Sequence, residues 1–274
     1  MANAIANSYK IFKESLSVLR RDRKVLLFPV LTCIACFIAI PSFVLPAFFL
    51  FDSIGIFSLV FVFLCYFAVY FLGIFFYAAM VIYSSRLVKG DKPSLAGSVK
   101  GALDNAWNIL LWSLFSATIG IVLEILNSVT REKLDILNYI LGLVWSLATF
   151  FVIPVIVFEK KTPIDALKES SALFKKRWGE AAIGIAGIGL PGVILGLAGL
   201  LLFGLSVKFL PEDLILFVFA IFIIYVFLLA VLFSALNSIY VSALYYFAAT
   251  GKTGTGFSEE VIRSAGLCRS SSNI

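Results

Sequence analysis

Apolar residues run almost unbroken through most of this chain, and short polar segments interrupt them. The stretch SLVFVFLCYFAVYFLGIFFYAAMVIY (58–83) contains no charge and no polar–apolar alternation. A membrane-crossing helix needs about 20 mostly apolar residues, whereas a transmembrane β-strand shows alternating segments of about 10. The pattern predicts six helical spans, about 25–51, 54–84, 107–127, 136–158, 181–207 and 214–249. The expected fold class is all-α: a polytopic membrane helical bundle with six transmembrane helices and repeated cytoplasmic amphipathic interfacial helices. Residues 1–251 are expected to form a single membrane domain, and 252–274 a cytoplasmic tail with a short helix followed by disorder.

The polar segments have a period of their own. In 163–178, Ile164, Leu167, Phe174 and Trp178 follow helical spacing with Ser171 on the same stripe. Asp165, Glu169 and Lys176 fall opposite, and Lys168 and Lys175 border the stripe, where their stems can snorkel. Thr162 suits an N-cap, Pro163 the first helical position and Asp165 the first turn. A similar stripe of Leu95, Val99, Ala102, Ala106 and Ile109 runs past Trp107, and Ile5, Tyr9, Phe12, Leu16 and Leu19 form another. These segments, about 4–20, 94–106 and 163–178, are predicted to lie in the membrane interface. The lipid-facing candidates are Trp107, Lys161, Lys168, Lys175, Lys176, Arg177 and Trp178, the two tryptophans as belt residues.

Composition agrees with a membrane protein. The 274 residues are 61% hydrophobic and 14% charged, whereas a soluble domain is about 45–50% apolar and about 25% charged. Of the 22 basic residues, all but Arg131, Lys133 and Lys208 fall in the two termini and in the second and fourth connections. The positive-inside rule then places both termini in the cytoplasm, with the chain multi-pass in a cell (inner or plasma) membrane. The net charge of +6 follows this topology and gives no nucleic-acid signal. Anionic headgroups on the cytoplasmic side are the expected partners, attracted by about 1 kcal/mol per basic residue near the surface; a protein partner or a second copy is the other. No cleavable secretory signal is evident, so the first span is expected to act as an anchor.

Catalytic chemistry finds little to work with. There is no His, and Cys33-x-x-Cys36 lacks the further ligands of a zinc site. GKTGTG (251–256) lacks the leading glycine of a phosphate-binding loop and reads as a flexible exit from the last span. No enzyme activity, catalytic residue, metal or cofactor is expected. Polar groups within spans are the remaining candidates: Glu124, Ser116, Trp145, Thr149, Pro191 and Asn237. Glu124 is expected either to pair with Arg131 or Lys133 at the surface, or to serve as a proton or cation site. Ser113, Ser116 and Thr118 on span three are expected to meet Ser146 and Thr149 on span four. Span five is rich in glycine and carries Pro191, which should kink it. The sixth span, at about 36 residues or about 54 Å, exceeds a hydrocarbon core of about 30 Å. It must tilt or project, which sets Asn237, Tyr240 and Tyr245 near the inner interface.

The segments SYKIFKESLSVLRRDRKVLLFPVL, WSLATFFVIPVIVFE and ALKESSALFKKRWGE, with the PSL…W element, carry a resemblance over nearly the whole chain. The chain resembles a six-span bacterial and archaeal membrane family known as a domain of unknown function. It is also loosely similar to the membrane domain found beside glycerophosphodiester phosphodiesterases. The resemblance implies architecture and no site residues. Two functions are expected. One is a non-enzymatic integral membrane protein engaging the cytoplasmic leaflet, as a lipid-interacting scaffold or accessory subunit. The other is a transporter or channel for a small or lipidic solute that uses the Gly-rich fifth span.

Overall fold

A computed structural model describes residues 2–50, 55–129, 135–176 and 178–258. Among the described residues there are ten α-helices and no strand. In chain order they are α1 (Ala2–Arg21), α2 (Leu27–Leu50), α3 (Ile56–Lys89), α4 (Leu95–Leu103), α5 (Ala106–Val129), α6 (Asp135–Ala148), α7 (Val152–Glu159), α8 (Pro163–Lys176), α9 (Trp178–Phe209) and α10 (Glu212–Thr250). A short 3₁₀ turn, Arg23–Leu26, leads into α2. Six stretches are long and apolar enough to cross a membrane: Arg23–Pro46, Ile56–Lys89, Ala106–Leu126, Ile140–Glu159, Gly189–Phe209 and Glu212–Thr250. They are the six expected spans with shifted ends. The fourth span is not one helix but two, α6 and α7.

α3 and α10 are much longer than a bilayer core requires. At 1.5 Å per residue they extend about 51 and about 58 Å, against about 30 Å of hydrocarbon. Burial changes along each helix accordingly. The first half of α3 exposes Ile56, Phe57, Leu59, Val60 and Val62, whereas Ala78 through Ser85 are buried on every side. α10 exposes Leu216, Phe217, Ile223 and Leu228, then buries nearly every residue from Ala235 to Tyr245. A helix apolar all round but exposed suits lipid; one buried all round needs a protein layer. Each long helix therefore has a first part, long enough to cross a bilayer, that turns apolar side chains outward, and a remainder within packed protein.

The chain divides into two compact units. One contains α1, the 3₁₀ turn, the end of α3 (Leu87–Gly90), α9, α10 and the segment that follows α10. Here α1 packs on both α9 and α10, which pack on each other. Phe12 stacks on Phe233 with ring centroids 6.2 Å apart. The segment expected as a loose exit from α10 is instead held at several points. Gly251 caps α10 with φ +69°. The Thr255 amide and hydroxyl donate to the Val88 carbonyl at 2.7 and 3.0 Å. Phe257 is buried, and the Ser258 amide and hydroxyl donate to the Glu14 carboxylate at 3.2 and 2.8 Å.

The other unit comprises Leu27–Arg86 and Asp91–Lys176. Phe28 of α2 meets Tyr83 of α3 edge-on at 5.5 Å, and both are fully buried. α4 begins at the N-cap Ser94, whose hydroxyl accepts the Gly97 amide at 3.1 Å. α8 packs across α5, α6 and α7.

Candidate functional site

The interruption of the fourth span is the first feature. Pro154 has no N–H, and in a continuous helix its ring would press on the carbonyl four residues earlier, that of Phe150. The helix gives way just there. The Phe150 amide turns back to the Leu147 carbonyl at 3.4 Å, and the Val152 amide to Thr149 at 3.1 Å. The Phe151 N–H and the Ala148 carbonyl are met from another helix. Ser170 of α8 supplies both: its hydroxyl accepts the Phe151 N–H at 3.0 Å and donates to the Ala148 carbonyl at 2.6 Å. Ser170 and Phe151 are fully buried. Sequence reasoning did not single out Pro154 or Ser170.

α8 is set up for this contact by its own start. Lys160 takes a left-handed φ of +54° that turns the chain out of α7. Thr162 stands at the helix start as expected, with its hydroxyl donating to the Asp165 carboxylate at 2.7 Å. Lys161 bridges Glu159 at 2.7 Å and Glu169 at 3.2 Å, tying the end of α7 to α8. These two carboxylates raise the Lys161 pKa, and the Thr162 hydrogen bond, helped by Lys168, lowers that of Asp165.

The buried faces of the three interfacial candidates overlap the expected stripes in part: Phe174 of α8, Ala102 of α4 and Leu19 of α1 belong to those stripes and are buried. α8 buries Pro163, Ala166, Ser170 and Phe174, whereas Ile164 is 58% exposed. α4 buries Ser98 and Ala102. α1 buries Ile11, Ser15, Val18 and Leu19, and Tyr9 is exposed. Each helix also buries a serine that its stripe leaves out: Ser170, Ser98 and Ser15.

The second feature is a groove between α9 and α10. It has a volume of about 500 Å³ and is walled by Gly189, Gly192, Val193 and Gly196 on one side and Val226, Phe233 and Asn237 on the other. Side chains added at Gly189 or Gly196 would meet nothing, so the missing Cβ atoms leave open space. Below it, Tyr225 crosses from α10 and donates its hydroxyl to the Leu195 carbonyl at 2.7 Å. The ring lies so close over Gly199 that a Cβ there would collide with it. Beyond Tyr225 a smaller space of about 240 Å³ continues past Phe203 and Ser206. α9 is one continuous helix through Pro191, so the fifth span is not interrupted as the fourth is.

The remaining candidates are placed as follows. Trp107 is 68% exposed at the start of α5. Lys168 pairs with Asp165 at 3.7 Å, and Lys175 is exposed. Arg177 and the side chains of Lys176 and Trp178 lie outside the described residues; α8 ends at Lys176, and Trp178 opens α9. Glu124 is exposed on α5, and its expected partners Arg131 and Lys133 are outside the described residues. The expected hydroxyl contacts between spans three and four do not form. Ser113, Ser116, Thr118 and Thr149 donate instead to carbonyls four residues earlier in their own chain, at 2.7 to 2.9 Å. The i−4 carbonyl is always within reach, so it outcompetes a partner helix. Aromatic rings join α5 to α6 instead: Trp145 stacks on Trp112 at 6.0 Å and touches Phe115. Among the described residues no three Cys, Asp or Glu side chains converge as a metal site.

Comparison with curated proteins and with solved structures found no match. The looser likeness to the membrane domain of glycerophosphodiester phosphodiesterases is not confirmed by these comparisons. A family of unknown function, DUF6159, matches residues 56–257, which is most of the chain and takes in both the broken fourth span and the α9–α10 groove, and the chain belongs to that family.

Proposed function

We propose that this protein is a non-enzymatic integral membrane protein that binds bilayer lipid, as a lipid-interacting scaffold or accessory subunit. The observation that carries the reading is the α9–α10 groove. Its size falls within the range of small-molecule sites, about 300–1,000 Å³. It is lined by apolar side chains and bare backbone, with the Asn237 amide as its main polar group. Both walls belong to stretches apolar enough to span a membrane, and Leu190, Val193 and Ile194 beside it are exposed. In a bilayer the material that meets such a face is hydrocarbon.

Native mass spectrometry of the purified protein tests this. The wild-type chain should retain lipid, and a Gly189→Leu/Gly196→Leu variant, with its groove filled, should lose it. A wild-type protein released free of lipid under gentle activation overturns the reading. A second reading, transport of a lipidic solute, is favoured by the interrupted fourth span, since transporters use broken helices at their substrate sites. Lipid movement in proteoliposomes distinguishes the two, because a scaffold accelerates none.

A further inference from the structure

The two ends of the α9–α10 groove differ in chemistry, and the difference gives it a direction. Asn237 closes one end. It lies about 38 Å along α10 from Glu212 at 1.5 Å per residue, past the far edge of a core of about 30 Å, which is the level of lipid ester and headgroup atoms. Its amide offers two donors and an acceptor, and no hydrogen bond engages that side chain among the described residues. α1 packs against both groove helices, with Phe12 on Phe233 one turn from Asn237. The same helix carries Lys10, Lys13, Arg20 and Arg21, complementary to an anionic headgroup.

At the other end the lining stops at Gly196 and Val226, beside Tyr225. The Tyr225 hydroxyl is fixed on the Leu195 carbonyl and its ring lies over Gly199. From Asn237 to Tyr225 is about 18 Å along the helix; on the same scale Tyr225 lies about 20 Å from Glu212, so it stands about 10 Å inside the far edge of a core of about 30 Å.

We infer that the groove is a slot of fixed length for one acyl chain of a bilayer glycerolipid, with Asn237 at its ester end and Tyr225 as the stop that sets chain length. This rests on the lipid-binding reading above. Tyr225→Ala joins the slot to the space beside Phe203 and Ser206, so longer chains should be selected. Gly196→Leu places a side chain into open space partway along, so shorter chains should be selected. Asn237→Leu should lower the amount of lipid retained without changing its chain length.

The experiment is native mass spectrometry of intact lipids co-purified from one host with wild type and the three variants. A shift to longer chains in Tyr225→Ala and to shorter ones in Gly196→Leu is the expected result. Wild type carrying no lipid overturns both the reading and the slot. Lipid present in wild type with the same chain-length distribution in both variants overturns the slot alone. If Tyr225→Ala does not fold, Gly196→Leu decides, because a Cβ at that position meets no neighbour. Retention unchanged in Asn237→Leu removes Asn237 from the ester end.

Discussion

The Ser170 hydroxyl accepts the backbone N–H of Phe151 at 3.0 Å, across nineteen residues of sequence. The contact joins a surface-type helix, α8, to the one place where a span loses its helical ladder. Pro154 creates the gap, and Ser170 fills it from the side, donating also to Ala148. In a membrane protein such backbone groups have no water to turn to, so broken helices persist only where protein satisfies them.

Ser170→Ala should therefore remove two hydrogen bonds from buried backbone, to the Phe151 N–H and the Ala148 carbonyl. Removing a partner from a buried polar group costs about 1–3 kcal/mol, so a loss of about 3 kcal/mol is expected, read as a fall in Tm of the detergent-solubilised protein. Amide exchange should accelerate at Phe151 and Val152. Pro154→Ala restores the missing N–H for the Phe150 carbonyl and lets the helix close. In the Ser170→Ala background it should recover much of the loss. A double variant no more stable than Ser170→Ala would mean that Pro154 does not cause the break.

The segment after α10 makes a different test. A Cβ on Gly254 would overlap the Val88 side chain and sit 2.8 Å from its carbonyl oxygen. One on Gly256, at φ +100°, would come within 2.6 Å of Val18. Gly254→Val should free the segment, and trypsin should then cut after the exposed Lys252 several-fold faster than in wild type. Gly251→Ala is the control. It meets no neighbour, and its cost is limited to the left-handed backbone, about 1 kcal/mol. Equal cleavage in all three proteins would show the segment is not held by these contacts.

What could be read from sequence was what depends on long runs or on adjacent residues. Six spans are visible because apolar runs such as 58–83 exceed any buried-helix length. The start of α8 is visible because Thr162, Pro163 and Asp165 act within one turn. The break at Pro154 is not, because α2 and α9 run straight through Pro41, Pro46 and Pro191. What differs at Pro154 is a serine on another helix, and no local pattern reports that. The buried faces of α1, α4 and α8 are legible only in part for a related reason: Leu19, Ala102 and Phe174 lie on the hydrophobic stripes, but Ser15, Ser98 and Ser170 are not apolar, so the stripes pass them by. In α9 the glycines signal close approach, yet only packing tells that Gly199 is closed by Tyr225 while Gly189 and Gly196 stay open.

Ser15 supplies a prediction of the opposite sign. It is fully buried on α1, and its hydroxyl has no hydrogen-bond partner among the described residues. A buried hydroxyl without a partner has lost its water and gained nothing. Ser15→Ala should raise stability by about 1 kcal/mol, seen as a higher Tm, whereas Ser98→Ala, which removes a bond to the Ser94 carbonyl at 3.0 Å, should not.

The start of α8 should respond to pH at both extremes and be flat between them. The Asp165 pKa is lowered, chiefly by the Thr162 hydroxyl. Its contribution is complete above the ordinary carboxylate range, near 3.9, and is lost as pH falls through the lowered value in the folded state. The Lys161 pKa is raised, chiefly by Glu159 and then Glu169. Its contribution is complete below the ordinary lysine value, near 10.4, and fades as pH rises through the raised one. Amide exchange in the first turn of α8, corrected for intrinsic rates, should show constant protection across neutral pH and a drop on each side. Asp165→Asn should shrink the acid limb and leave the alkaline one, whereas Lys161→Met should remove the alkaline limb and leave the part of the acid limb that Asp165 contributes. A single variant that abolished both limbs would mean that the two groups do not act separately, and that the tie between α7 and α8 forms or fails as one unit.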